Sequence, residues 1–494
     1  MSPGEDDWLT DSLTILTVNT DDAHWPSPGE LRTRARRRRL QRRTAVGVVG
    51  VIVVAAAVVL PLQGTTQTPA PFPNRGLDVI GHSNSAVELA ANVAPGARTP
   101  PSSDYAQVAT AEEGFSLSLL RQLNARGNKV ENVVTSPSSL ATVLAMLELG
   151  ARGSTSSQIA AVLGTAQLSS SQQAAGWSAL SADEAVAARQ TGIDLDSADS
   201  LWMQSGLRIV PDFMSALSKQ FVTGVWQVNF THDPAAANNA INSWVNTETH
   251  GLITQLFTPG AINSMTALVL ANAVYFKGAW QQGFDPSKTA LQYFERANGS
   301  KVHVPFMSAT ETLRLSPYLR PGAKPKNGQL NATDLLPYRA VELPYKGDRF
   351  AALAIMPTSG TLAQFVQGLT TSSLNRLVRT LRMSEVSISM PRFTVSANDN
   401  LNGDLEAMGI RDAFENADFS GISPTPLALQ QVQQRAFVEV NEQGTVAAAA
   451  TGGAAQATAA PPGITLDHPF LFIVRDTTTG TILFDAEVEN PSSS

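Results

Sequence analysis

An uncharged, mostly apolar run of 18 residues follows directly after a cluster of arginines. Because the adjoining arginines could not be buried with it in the core of a soluble domain, this run limits how the chain can fold. The run extends from Ala45 to Leu62, and the arginine-rich stretch RRRRLQRR at residues 36–43 comes just before it. About 17–25 apolar residues form a helix that crosses a bilayer. A cleaved signal peptide would have a shorter apolar region and seldom follows so long a charged segment. The run therefore predicts a transmembrane helix at residues 44–62.

The charge of the flanking segments predicts the orientation of this helix. Residues 1–43 carry eight arginines against seven acidic residues. Arginine-rich flanks stay in the cytoplasm, so this segment is expected to be cytoplasmic and the C-terminal part extracellular. Residues 63–104 contain TTQTPAPFP and GARTPPSS, which favour an extended linker, although Leu77–Val93 could form a short element. A compact domain is predicted at residues 105–494.

The sequence argues against several classes of functional site. Cysteine is absent, which removes disulfides, thiol catalysis and cysteine-bound metals. Beyond residue 43 the chain is acidic and offers no basic surface for nucleic acid. The six histidines are scattered without metal-ligand spacing, and no nucleophile elbow or phosphate-binding loop occurs. We expect no catalytic residue, metal, cofactor or nucleic-acid partner, while a triad assembled from distant positions stays an open alternative.

Apolar patterns in the large domain predict both helices and strands. TALVLANAVYF at 266–276 and FAALAIMP at 350–357 are typical of strands, and INSWVNTETHGLI at 241–253 is typical of a helix. The two kinds of segment alternate without a regular βαβ rhythm. This order indicates an α+β domain with large sheets.

A long segment of small, neutral residues separates two strand-like runs near the C-terminus. The runs are AFVEV at 436–440 and PFLFIV at 469–474, and between Gly444 and Ala460 there is no charge, no proline and no large apolar side chain. A surface loop usually contains turn-forming residues and polar groups that solvate it. Taken alone, the composition favours a flexible linker.

From about Tyr105 to Pro491 the chain resembles the serpins, a family of serine-protease inhibitors, and in particular a bacterial, membrane-anchored member. The resemblance rests on segments that occur in the family's order: NVVTSPSSLATVLAMLELGARGSTSSQIAAVLG (132–164), LVLANAVYFKGAW (268–280), MGIRDAFENADFSGI (408–422), FVEVNEQGTVAAAA (437–450) and DHPFLFIVRDTTTGTILF (467–484). It implies an α+β fold with three β-sheets, about nine helices and an exposed reactive-centre loop at 445–463.

The resemblance also implies a function. A target serine protease would cleave the loop and become acylated, after which the upstream part of the loop would insert into the main sheet and trap the protease as a covalent acyl-enzyme. The protein would be a monomeric inhibitor and not an enzyme, attached to the membrane by its N-terminal helix. The alternative is a non-inhibitory serpin-fold protein that acts in binding or as a scaffold at the cell surface.

Residues of the loop follow from the same resemblance. Counting from the hinge places the reactive bond at Thr458–Ala459, where small neighbours favour an elastase-like or subtilisin-like target. An inserting segment must avoid charge, which costs several kcal/mol when buried unpaired, and proline, which removes a ladder hydrogen bond. Gly452 and Gly453 depart from what an inserting strand favours, because glycine has a low strand propensity. The hinge residues are Glu442, Gly444, Thr445, Val446, Ala447, Ala448, Ala449 and Ala450.

The resemblance finally implies a sheet-opening region. Gln434 stands where many members have a histidine, and an amide can form hydrogen bonds there but cannot titrate. Arg392 could pair with Glu442 at the top of the sheet. The residues of this region are Ser136, Ser139, Asn272, Trp280, Arg392 and Gln434.

Overall fold

The structure, a computed structural model, describes residues 86–90, 102–127, 131–221, 224–320, 334–444 and 462–492. Within these ranges no helix has the length and apolar character needed to span a bilayer. The predicted cytoplasmic segment 1–43 and transmembrane helix 44–62 lie outside the described residues.

Nine α-helices occur among the described residues, in agreement with the number that the resemblance implied. The second begins after Ser136, whose backbone is extended, with Pro137 in its first turn. The fourth begins with a capping box between Ser169 and Gln172 and ends at Gly192 in the left-handed conformation. The helices are α1 Ser102–Asn124, α2 Pro137–Glu148, α3 Gly153–Val162, α4 Ser170–Thr191, α5 Pro211–Gln220, α6 Pro234–Glu248, α7 Leu362–Gln367, α8 Thr371–Thr380 and α9 Asn402–Met408.

Fifteen strands form the sheets of the described chain. They are β1 Ala86–Ala90, β2 Val133–Thr135, β3 Asp194–Gln204, β4 Gly224–Val228, β5 Leu268–Lys277, β6 Ala290–Glu295, β7 Lys301–Leu315, β8 Tyr338–Pro344, β9 Phe350–Pro357, β10 Arg382–Pro391, β11 Phe393–Asn400, β12 Gln431–Val440, β13 Gly463–Thr465, β14 Phe470–Asp476 and β15 Ile482–Val488. One sheet has six strands in the order β1-β4-β3-β5-β12-β11. The other has nine, in the order β13-β10-β7-β8-β9-β14-β15-β2, with β6 beside β7.

The count of sheets differs from the three that the resemblance implied, because two of them are joined. Strand β7 pairs with β10 along most of its length but with β8 only at Arg314–Glu342 and Leu315–Val341. These two residue pairs connect the strands on the β7 side with the strands on the β8 side, so the two groups form one continuous nine-stranded sheet.

Strand β1 lies in the segment that composition predicted as a linker. It pairs antiparallel with β4, with Ala86 opposite Val228. Ala86 packs against the buried cluster that contains Trp202 and Val228, and Leu89 packs against the helical core. The strand therefore covers one edge of the six-stranded sheet, within the range Leu77–Val93 where a short element was left open.

The centre of the six-stranded sheet is buried on both faces. Leu268 and Leu270 of β5 pack under the helices, while Val269, Ala271 and Ala273 face the cluster around α6. This two-sided burial explains why β5 is apolar apart from Asn272 and its last residue, Lys277. In β12 buried and partly exposed positions alternate instead.

Candidate functional site

The two central strands of the six-stranded sheet, β5 and β12, run parallel to each other. Their register places Gln434 opposite Asn272 and Phe437 opposite Tyr275. After β12 the chain reverses at Asn441, which forms an antiparallel bridge with Gly444. A strand that continued from this turn would run antiparallel to both β12 and β5. One parallel pairing would then be replaced by two antiparallel pairings, which are slightly more stable per residue.

Gly444 is required by the geometry of this turn. Its φ is +129°, and a Cβ atom there would lie 2.2 Å from the carbonyl oxygen of Gly278 and 2.7 Å from the amide nitrogen of Trp280. A side chain would therefore clash with backbone atoms as well as strain the chain. The glycine that sequence placed in the hinge is held tightly against the end of β5.

Glu442 and Trp280 fix the top of the two central strands. The Trp280 indole nitrogen donates to the Asn441 carbonyl at 3.0 Å, and its ring stacks on Tyr345 with centroids 4.6 Å apart. Glu442, which is buried, accepts a hydrogen bond from the Thr289 hydroxyl at 2.7 Å. The expected pair with Arg392 is present at 3.6 Å. These contacts anchor the chain where it leaves the sheet.

Gln434 connects β12 to its neighbours through all of its amide atoms. Its Oε1 accepts from the Thr135 hydroxyl at 2.5 Å and from the Ser136 amide at 3.2 Å. Its Nε2 donates to the Ser136 carbonyl at 2.9 Å and to Asn272 Oδ1 at 2.6 Å. The bond to Asn272 crosses from β12 to β5. Gln434 is 3 % exposed, so each of these bonds is shielded from water.

Asn272 links this amide to the partly buried carboxylate of Asp199. Its Nδ2 donates to Asp199 and to the Ser139 hydroxyl. Ser139 and Ser197 each donate to Asp199 at 2.7 Å. Burial raises the pKa of Asp199 to about 6, and the three hydrogen bonds oppose that rise. Asp199 is therefore a titratable group in direct contact with Asn272 and Ser139, whereas the amide at 434 cannot titrate.

The predicted site residues form two groups. Ser136, Ser139, Asn272 and Gln434 meet beneath the middle of the β5–β12 pair, while Trp280, Arg392, Glu442 and Gly444 meet at its upper end. The predicted residues Thr445–Ala450 and the reactive bond Thr458–Ala459 lie outside the described residues. Beyond them, Gly463 begins β13, which pairs with β10 in the other sheet.

Sequence reasoning missed Thr135, Ser197 and Asp199, which complete the lower group. The available signal was an acid between small residues inside a strand, SADS at 197–200. That signal does not identify partners on helix α2 and strand β5. In the parts of the chain that the structure describes, no three acidic or histidine side chains are placed to hold a metal.

Comparison with known proteins is consistent with this geometry. The family model for serpin (serine protease inhibitor) matches residues 110–491. Glia-derived nexin of Rattus norvegicus is 34 % identical over 367 residues, covering 73 % of this chain and 88 % of the relative. Plasminogen activator inhibitor 1 of Neovison vison is 33 % identical over 395 residues, covering 76 % and 91 %. The crystal structure of native protease nexin-1 with heparin superposes with a TM-score of 0.66 at 28 % identity, covering 78 % of this chain and 99 % of that one.

Proposed function

The chain belongs to the serpin family, and from that membership we propose that it inhibits serine endopeptidases as a suicide substrate. The observation that carries the proposal is the parallel pair of β5 and β12, with a reversing turn at Gly444 that leads to a run of small, neutral residues. Inhibition as the activity is supported by the description of the matching family model, serine protease inhibitor, and by the name of one relative, plasminogen activator inhibitor 1.

The proposed mechanism begins with cleavage at Thr458–Ala459. The serine of the protease attacks the Thr458 carbonyl, the peptide bond breaks, and the new amine leaves with Ala459. An ester then joins the protease to Thr458. Released from its downstream anchor on β13, the segment from Thr445 can enter between β5 and β12 as a new strand.

Insertion is favourable because of the hydrogen bonds that it forms. Each inserted residue adds ladder bonds worth about 1 kcal/mol net. Thr445 to Ala450 carry no charge and no proline, so none of them brings an unpaired ion into the sheet, which would cost several kcal/mol. Insertion must be faster than hydrolysis of the ester, and small side chains favour that outcome.

The residues around the reactive bond favour a protease with a small specificity pocket. Thr458, Ala459 and the nearby Gln456 include no basic or aromatic side chain. A trypsin-like protease needs a basic residue to meet the aspartate in its pocket. We therefore propose an elastase-like or subtilisin-like target.

A panel of serine proteases tests this mechanism. The full chain is incubated with elastase-like, subtilisin-like, trypsin-like and chymotrypsin-like enzymes, and the products are separated on denaturing gels. The expected result is a covalent complex with a small-pocket enzyme and a released peptide whose N-terminus is Ala459. The matched variant Thr458→Arg should shift complex formation to the trypsin-like enzyme. Cleavage without any complex would favour the non-inhibitory alternative.

A hinge variant separates insertion from recognition. Thr445→Arg places a permanent charge on the first residue that would enter the sheet, thirteen positions before Thr458. Cleavage should continue while covalent complex is lost, because about 1.4 kcal/mol already changes a rate tenfold. Unchanged trapping by this variant would contradict insertion.

We further propose that the domain is displayed outside the cell on the membrane helix 44–62. The support is the Ala45–Leu62 run with its preceding arginines. Protease added to intact cells should digest the domain after residue 63 and spare residues 1–43. Protection of the domain in intact cells would contradict this topology.

A further inference from the structure

Strand β15 and the residue that follows it carry a row of acidic side chains into the interior. Asp485, Glu487 and Glu489 occupy alternate positions and are 0 %, 2 % and 6 % exposed. Alternate residues of a strand point to the same face. Buried carboxylates are rare unless they are paired, so the row needs a physical reason.

Several oxygens of this row have no hydrogen-bond partner among the described residues. They include Oε1 of Glu487, Oε2 of Glu489 and both carboxylate oxygens of Asp485. The other Glu487 oxygen, Oε2, accepts from Asn124 at 2.6 Å. An unpaired buried acceptor costs about 1–3 kcal/mol, and more when charged, so a donor from outside would be bound favourably.

Glu487 and Glu489 line a cavity of about 270 Å³. Among the described residues, its wall also includes the acidic residues Glu131 and Asp399 and the basic residue Arg126. That guanidinium is already bound by Asp399, at 2.6 Å, and by Asp404. Glu131 is exposed, which opens the cavity to solvent. The described lining therefore carries four carboxylates and one guanidinium, which is already paired with Asp399 and Asp404.

We propose that this cavity binds a short aliphatic diamine, with one ammonium group on Glu487 and the other on Glu489. Glu489 follows β15 by one residue, and the Cα atoms of residues two apart in the chain lie at most about 7 Å from each other, which is the scale of the separation between the amino groups in 1,4-diaminobutane or 1,5-diaminopentane. An ammonium group supplies three donors and no acceptor, as the unpaired oxygens require. The methylenes would lie against the stems of Leu123 and Val133.

A divalent metal fits these residues less well. Calcium takes six to eight oxygen ligands at short, shared distances. Within the described ranges no three acidic side chains converge closely enough to hold a metal. The carboxylates of Glu487, on β15, and Glu489, just after it, instead present two separate anionic points.

Proton linkage gives the site a signature. Burial raises the pKa of Glu487 to about 7 and that of Glu489 to about 7, the latter also through repulsion by Glu487. A bound ammonium favours the carboxylate form, so the affinity should increase as the pH rises from 6 to 8. The other charged groups facing the cavity are Glu131, Asp399 and Arg126, with Asp404 bound to Arg126 and Asp485 beside Glu487 on β15.

Calorimetric titration of the full chain with 1,4-diaminobutane tests the proposal. Butylamine, calcium chloride and magnesium chloride serve as alternative probes. We expect saturable 1:1 binding of the diamine that strengthens between pH 6 and pH 8, with at least about tenfold weaker binding of butylamine. Glu487→Gln and Glu489→Gln, which keep the shape of a protonated glutamate, should each weaken it by a similar factor. Glu385→Gln, an exposed acid on β10, should leave it unchanged.

Three results would overturn the proposal. They are equal binding of the monoamine, binding of calcium or magnesium in place of the diamine, and diamine binding that survives Glu487→Gln combined with Glu489→Gln. A fourth arm uses Lys129, which lies outside the described residues. If the diamine binds to the Lys129→Gln variant but not to the unmodified chain, the cavity is already filled by the chain's own ammonium group, and the proposal fails. Should the buried variants not fold, Glu131→Gln at the cavity's open side must still weaken binding.

Discussion

Replacing Gln434 with alanine should destabilise the sheet and also speed insertion into it. The substitution removes four hydrogen bonds, to Thr135, to the Ser136 amide and carbonyl, and to Asn272. Each buried group left unpaired costs about 1–3 kcal/mol. The Thr135 hydroxyl can turn to another acceptor, whereas the backbone groups of Ser136 cannot. We therefore expect a loss of about 3–5 kcal/mol from the free energy of unfolding.

The same substitution should alter the kinetics under the proposed mechanism. The bond from Gln434 to Asn272 crosses between β12 and β5, so it must break before a strand enters there. Losing about 1.4 kcal/mol of that barrier increases a rate tenfold. The uncleaved variant should consequently lose inhibitory capacity on storage about ten times faster, because its loop inserts without a protease.

Two assays with one control decide this prediction. Urea unfolding gives the free energy of unfolding. The remaining active inhibitor is titrated with a protease that it traps after increasing times of storage, which gives the rate at which inhibitory capacity is lost. Gln433→Ala is the matched control, since Gln433 is partly exposed and its amide makes one bond, to Asn398 at 2.7 Å. A difference in stability below about 0.5 kcal/mol between the two variants would refute the role assigned to Gln434.

Three further predictions concern the same region. Gly444→Ala should lower the melting temperature and slow complex formation, because its Cβ would lie 2.2 Å from the Gly278 oxygen; Gly403→Ala, with open space around it, should do neither. Burial raises the pKa of Asp199 from 3.8 to about 6, so this group binds its proton more tightly in the folded state. The free energy of unfolding should therefore fall as the pH rises from 4 to 6. Asp199→Asn should remove up to about 3 kcal/mol of that fall. Cleavage at Thr458–Ala459 should raise the melting temperature, and an unchanged or lower value would count against insertion.

Sequence patterns predicted the elements of the fold better than their connections. The largely apolar sequence of β5 follows from burial on both faces, and the alternation in β12 follows from burial on one face. The joining of two sheets through Arg314–Glu342 and Leu315–Val341 could not be predicted, because two residue pairs leave no periodic signal. Strand β1 was also only partly foreseen, since five residues in a linker-like composition gain their order from the edge of β4.

The candidate site shows a similar division. The resemblance identified Ser136, Ser139, Asn272 and Gln434 because those residues lie within motifs that follow the family. It did not identify Asp199, which contacts Asn272 and Ser139 from another strand. Its raised pKa depends on burial under helix α2 and strand β5, a property of the assembled structure that no local sequence pattern contains.

Under the proposed mechanism, the reversing turn after β12 would set which loop residue stands beside each residue of β12 during insertion. Its bridge pairs Asn441 with Gly444, and continuing that antiparallel register brings Thr451 beside Gln434. The six residues from Thr445 to Ala450 can then enter the upper part of the sheet while the Gln434–Asn272 bond is still closed. The seventh residue, Thr451, would reach the Gln434–Asn272 bond, so insertion would have one stage before this bond breaks and one stage after it. The hydroxyl of Thr451 could then form hydrogen bonds with the two separated amides.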